Sequence, residues 1–417
     1  MQNKMIPPER KNILQKDSFK SLLSSLTAVL FGILAGAFLI FAVTFFNKDF
    51  TVKDASEGVK LIFFGIFNQG RGSDGELVFG FSKLNLGNML FRATPIIMTG
   101  LSASFAFRSG IFNIGIPGQY LIGSAATLIT ALSIPQSIIS PVIIWFLAFL
   151  VGMIAGSLWG IIPGFFKAYL GVNEVLSSIM TNWIAANLVT MIFENSNFRN
   201  SKDSGKLGFI LKTSENGIMT SKFGLDKIFE GSQVNAGIII SCIIAFLIYI
   251  IITKTTLGFE LKTCGSNRFA AEYAGMNSKH LTILAMAISG ALSGAGAALF
   301  YLSGNTEFFW STYQSLPTEG FNGIPVALLA LSNPIGVIFS GCFMSVLTVS
   351  GQQLKTFTPY SENIINIVIS VIVYLCAFSL ILKNLFSKRN SKIKKSIAFP
   401  FNISKKEIIS KERQRDI

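Results

Sequence analysis

Three stretches of the chain set amide and charged side chains inside long apolar runs. FRSGIFNIGIPGQYLIGS carries Arg108, Asn113, Pro117 and Gln119. GVNEVLSSIMTNWIAANL carries Asn173, Glu174 and Asn182, and EGFNGIPVALLALSNPIG carries Asn322 and Pro325. Polar groups are costly at such depth, so each is a candidate for handling a polar solute. Asn173 ahead of Glu174 also reads as a helix N-cap followed by a favourably placed carboxylate; a gating or coupling role is the alternative. Arg92 and Arg108 read as cations snorkelling from span ends.

Covalent chemistry finds no support. There is no GxxxxGK[ST] phosphate cradle, no GxSxG elbow and no HExxH pair. His280 is the single histidine, which leaves little for general-base work near neutral pH. Cys242, Cys264, Cys342 and Cys376 fall singly, with no metal-ligand or disulfide spacing, so no metal site is expected. No ladder of acidic residues runs through the apolar segments. The chain reads as a transport body without its own energy source.

The elements that position these residues must sit in a membrane. Of 417 residues 51% are hydrophobic and 13% charged, with mean hydropathy +0.56. A soluble domain carries about 25% charged residues. Spans of about 20 apolar residues cross the hydrocarbon core. They are expected at 22–46, 88–107, 111–133, 139–163, 172–193, 234–254, 281–303, 318–332, 334–353 and 364–386, an all-α polytopic fold of about ten helices with some interrupted segments. The first is too long for a signal-peptide core and is expected to remain as an anchor.

Charge sets the expected orientation. Residues 1–20 carry a net +3 and residues 387–417 a net +7, most of the overall +14. Both ends are therefore expected in the cytoplasm, on either side of a transmembrane domain at 22–386. Residues 47–87 and 194–233 then fall outside, and 255–280 inside. Even parity requires 318–332 and 334–353 to be a descending and an ascending pair. The tail after Lys388 reads as a topology signal, with anionic lipid as a further partner.

Glycine is patterned as well. Gly152, Gly156, Gly160 and Gly164 line one helix face, and Gly32/Gly36 and Gly290/Gly294 repeat the spacing, which predicts close helix packing. FNIGIP at 112–117 is expected to interrupt a helix; FNGIP at 321–325 echoes it, either as a paired interruption from a related half or by chance. Trp145, Trp159, Trp183 and Trp310 read as packing or interface residues.

FAFRSGIFNIGIPGQYLIGS, LGVNEVLSSIMTNWIA, LGFELKTCGSNRFAAEYAGM and GFNGIPVALLALSNPIG, in that order, resemble the permease subunits of bacterial ABC importers of the branched-chain amino acid, ribose and simple-sugar superfamily. The nucleoside/simple-sugar type is the nearest. The resemblance implies a bacterial cell-membrane permease that is not itself an enzyme. It implies a cytoplasmic ABC ATPase holding ATP and Mg, a second and different permease subunit, and an external binding lipoprotein, with no cofactor on this chain and no nucleic acid. It assigns ATPase coupling to Gly258, Leu261, Gly265, Asn267, Arg268, Ala270, Ala271 and Gly275. Pathway candidates are then Phe112, Asn113, Gln119, Tyr120, Asn182, Trp183, Phe321 and Asn322, the aromatics being able to stack on a nucleobase. Pro117 stands where many members carry an acidic residue, so no role tied to that carboxylate carries over. A secondary transporter or channel, or a branched-chain amino acid permease, are the rival readings.

Overall fold

A computed structural model describes residues 17–47, 49–135, 137–209, 218–310, 316–361 and 363–377. The segments 1–16 and 378–417, with most of the basic ends, lie outside the described residues. The elements in chain order begin with α1 (Asp17–Phe46), α2 (Val52–Phe64), a 3-10 turn, β1 (Asn68–Arg71) and β2 (Leu77–Phe79). Next come α3 (Lys83–Arg108), α4 (Ile116–Ser133), α5 (Pro141–Leu170), α6 (Glu174–Glu194), α7 (Leu225–Ile228) and α8 (Gly237–Lys254). The remainder is α9 (Thr256–Ser266), α10 (Arg268–Tyr273), α11 (Ser278–Tyr301), α12 (Thr318–Leu329), α13 (Pro334–Phe357) and α14 (Asn363–Ala377). Each expected span holds a helix, and among the described residues seven helices are long and apolar enough to cross a membrane.

Glycine sets the centre of the bundle. Gly156 lies on the Gly290 carbonyl, Gly152 and Gly294 face each other, Gly123 meets Gly294, and Gly160 rests on the Met286 carbonyl. Helices α4, α5 and α11 therefore meet backbone to backbone. Gly32 and Gly36 of α1 instead receive the Ile372 and Val368 side chains of α14. α3 is the buried mast, with Ile97, Met98, Leu101 and Phe105 fully enclosed. It runs antiparallel to α11 and α13: Phe91 stacks on Phe300, and Ser345 Oγ donates to the Met89 carbonyl at 2.6 Å. The bundle has two ends, one bearing the β1–β2 hairpin and one bearing the α9–α10 connector.

Two expectations need correction. The first is 47–87, expected simply as an outside loop. Gly70 and Gly75 do take positive φ, but α2 folds back along α1, Gly58 facing Ile40 and Tyr360. A capping box of Thr51 and Asp54 starts it, and the apolar LIFFGIF run carries it inward. The chain then turns back within packed protein, where its backbone needs partners. Asn85 Nδ2 donates to the Asn68 carbonyl at 2.7 Å, Asn68 Nδ2 to Gln353 Oε1 at 2.8 Å, and Gln353 Nε2 to Asn85 Oδ1 at 3.1 Å. Arg71 pairs with the buried Glu57 at 2.7 Å and also donates to the Phe357 carbonyl.

The second is the FNGIP echo. FNIGIP lies at a true break, because Gly110 at φ +70° ends α3 and the chain stays non-helical to Gly115. FNGIP lies inside the continuous helix α12, with Pro325 accommodated. No residue there takes positive φ; Leu331 and Ser332 do, at 53° and 55°, so the break falls at the α12–α13 turn. At 12 residues α12 spans only about 18 Å and begins midway along the bundle, Gly323 lying on the Thr99 backbone. The pair around Pro334 thus does descend and ascend, and α1 begins and the described part of α14 ends at the connector end.

Candidate functional site

The break between α3 and α4 is held by the polar residues that the sequence singles out. Asn113 Oδ1 accepts the Gly115 N–H at 2.8 Å, while Nδ2 donates to Gln119 Oε1 at 3.0 Å and Ser289 Oγ at 2.8 Å. Asn182 Oδ1 accepts the Gly118 N–H at 2.9 Å and Nδ2 donates to the Ile114 carbonyl at 3.0 Å. Ser293 Oγ donates to the Ile116 carbonyl at 2.9 Å. Asn113, Gln119 and Asn182 are all buried. Irregular backbone at membrane depth survives only where protein satisfies it; Asn113 and Asn182 do that, and Gln119 braces the Asn113 side chain. Asn182→Leu is expected to orphan one N–H and one C=O, at about 1–3 kcal/mol each. Thermal unfolding of the purified chain should show the loss; Asn187→Leu, on the exposed face of α6, should not.

The other expected pathway residues scatter. Tyr120 is fully buried against Tyr301. Phe112 stacks on Phe107 at 5.2 Å and, like Trp183, is exposed on the bundle surface. Phe321 and Asn322 line a cavity of about 510 Å³ in the hairpin half of the bundle. Its walls add Arg92 from α3, Phe300 from α11, Thr348 and Gln352 from α13, and Asn366 and Ser370 from α14. Thr318 and Glu319, at the start of α12, complete its wall. The lining is mixed, with two aromatic rings, several amides and hydroxyls, and one charge of each sign. Arg92 is thus a wall residue, not merely a snorkelling one. Arg108 has another task, its Nε donating to the Ser332 carbonyl at 2.8 Å and fixing the α12–α13 turn.

A second cavity of about 290 Å³ shares Thr318 and Glu319 with the first. Ala186, Val189 and Thr190 of α6, Tyr301, and Glu307 to Trp310 enclose it. Residues 199–207 pack on its 308–310 wall: Leu207 N–H donates to the Phe308 carbonyl, Trp310 Nε1 donates to the Ser204 carbonyl, and Arg199 lies 5.3 Å from the Trp310 ring. Glu307 Oε2 is buried there without a hydrogen-bond partner among the described residues, and burial pushes that carboxyl up from its ordinary range.

At the connector end Asn173 caps α6, accepting the Val175 N–H, and Glu174 pairs with Lys167 at 2.5 Å across the α5–α6 turn. Gly258 packs on the Ile251 and Ile252 carbonyls, Gly265 on the Ser109–Gly110 backbone, and Leu261 and Ala271 are buried. Asn267 caps α10 through the Ala270 N–H, and Gly275 at φ +81° ends that turn. Arg268 Nε reaches Glu272 Oε1 at 3.2 Å and Ser278 Oγ at 3.1 Å. The Ser278 hydroxyl and Arg268 together hold the Glu272 carboxyl below its ordinary range. Phe269 and Tyr273, which the sequence reading passed over, stand out from this surface at 76% and 96% exposure.

Comparison with known proteins fits this architecture. The sequence model of the branched-chain amino acid transport system / permease component family matches residues 85–376. The chain is 32% identical to the guanosine ABC transporter permease protein NupP of Bacillus subtilis, covering 89% of this chain and 97% of the relative. It is also 32% identical to the nucleoside ABC transporter permease protein NupB of Lactococcus lactis, over 88% of this chain and 94% of the relative. The glucose ABC transporter permease protein TsgB13 of Haloferax volcanii is 28% identical over 70% of this chain and 76% of its own length. No solved structure matches the chain. The chain belongs to the branched-chain amino acid transport system / permease component family, and it is a multi-pass membrane permease.

Proposed function

We propose that this chain is one permease subunit of an ATP-binding-cassette importer and that it carries nucleosides. The names of the two 32%-identical relatives support the nucleoside class. The observation that carries the reading is the 510 Å³ cavity, whose aromatic rings suit a base and whose amides and hydroxyls suit a ribose. The Lys/Arg bias puts the hairpin end outside, so this cavity faces incoming solute, and the α9–α10 connector faces the cytoplasm. An external binding lipoprotein delivers the solute, a second, different permease completes the pathway, and an ABC ATPase holding ATP and Mg drives it. The chain itself binds no cofactor, and its basic ends meet membrane lipid.

The earlier pathway candidates divide on this reading. Phe321 and Asn322 touch solute, while Asn113, Gln119 and Asn182 shape the break below it. Gly258, Leu261, Gly265 and Ala271 shape the coupling connector, and Asn267, Arg268, Ala270 and Gly275 lie on its ATPase-facing side. Asn173 and Glu174 brace the adjacent turn. Asn322→Leu and Gln352→Leu are each expected to lower uptake of labelled guanosine by the assembled transporter about tenfold, because a cavity built for hydrogen bonds loses a partner. Competition by glucose and not by guanosine would instead assign the cavity to sugars.

A further inference from the structure

Resting on the nucleoside reading, we propose that the smaller cavity is a base-reading antechamber that selects a purine bearing two adjacent N–H donors on one edge, as guanine does. Two features converge there. Tyr301, Phe308, Phe309 and Trp310 supply aromatic surface, and stacking on such surface tolerates any base. Stacking alone therefore does not select, and the selecting group must be polar. Glu307 supplies it, because its buried Oε2 has no hydrogen-bond partner among the described residues. A buried acceptor left unmatched is costly, and a ligand donating to it removes that cost. A carboxylate matches guanine's N1–H and N2–H₂ edge with two parallel bonds; adenine and uracil offer no such donor pair. Among the described residues no lysine or arginine lines the cavity; Arg199 and Lys206 lie instead over the Trp310 and Phe309 rings of its wall.

The position suits a first stop on the pathway. The cavity abuts the larger one through Thr318 and Glu319, and residues 199–207 buttress its 308–310 wall. Phe300 lines the larger cavity and Tyr301 the smaller, and their rings meet edge to face at 5.3 Å. A base leaving the first aromatic wall finds the second beside it.

The test is uptake of labelled guanosine, adenosine and uridine by cells expressing the full transporter, with surface amounts of each variant measured. Glu307→Gln keeps the side-chain shape and removes the charge and one acceptor. It is expected to lower guanosine uptake about tenfold or more while adenosine and uridine stay within about threefold. Glu307→Asp, which keeps the carboxylate, is expected to retain the guanosine preference. An equal effect of Glu307→Gln on all three nucleosides, or no effect, would overturn the antechamber and leave the nucleoside reading standing. A wild-type transporter that takes up none of the three would overturn both.

Discussion

Gly290→Leu is expected to abolish folded, monodisperse protein. A carbon added at Gly290 would lie 2.2 Å from the Gly156 carbonyl oxygen, and one added at Gly156 would lie 2.4 Å from that of Gly290. These neighbours are backbone, so no rotamer change relieves the clash. Gly294 on the Gly152 carbonyl, at 2.3 Å, holds the same seam one turn away and resists sliding. Overpacking of this kind costs about 3 kcal/mol or more, and membrane bundles have no water-driven term to offset it. Size-exclusion profiles and thermal unfolding in detergent would register the loss. Gly208→Ala is the control, since the nearest atoms lie 3.5 to 3.8 Å from the added carbon, an ordinary contact. It should change stability by no more than about 0.5 kcal/mol.

The double variant Phe269→Ala/Tyr273→Ala is expected to uncouple transport from ATP hydrolysis without unfolding the permease. The turns at 109–115, 171–173 and 330–333 are short, and the connector at 255–277 is the longest described segment at its end of the bundle. An ATPase docked there would grip what protrudes, and the strongly exposed large side chains of α10 are these aromatics. Aromatic anchors seated in a partner's groove are each worth about 2 kcal/mol, roughly thirtyfold. Uptake and co-purification with the ATPase should therefore collapse together while the unfolding temperature holds. Arg268→Glu is expected to act in the same direction more weakly, since it loses the bonds to Glu272 and Ser278 and sets two acids side by side. Normal uptake by the double variant would remove the connector from the coupling role.

The spans, the glycine seam and the break after Arg108 were legible because each rests on local rules: apolar length, spacing of four, and a glycine that stops a helix. The α2 fold-back was hidden because LIFFGIF is too short for a span and its partners, Asn85 and Gln353, are distant in sequence. The FNGIP echo misled because proline alone does not end a helix when the following residues keep helical φ. At the site, polarity inside spans marked Asn113, Gln119, Asn182 and Asn322 as special. It could not separate the amides that bond to backbone from those that face a cavity, since that depends on the rotation of each helix. Arg92 and Gln352 carried the same signal and were separable only once α3, α13 and α14 were packed together.

The central claim, ATP-driven nucleoside import through this permease, is tested most directly by labelled guanosine uptake into proteoliposomes holding the complete transporter. Uptake is expected to require ATP, to survive dissipation of ion gradients by an ionophore, and to be competed by unlabelled nucleosides but not by ribose, glucose or leucine. Uptake that persists without ATP and disappears with the ion gradient, or that nucleosides fail to compete, would contradict it.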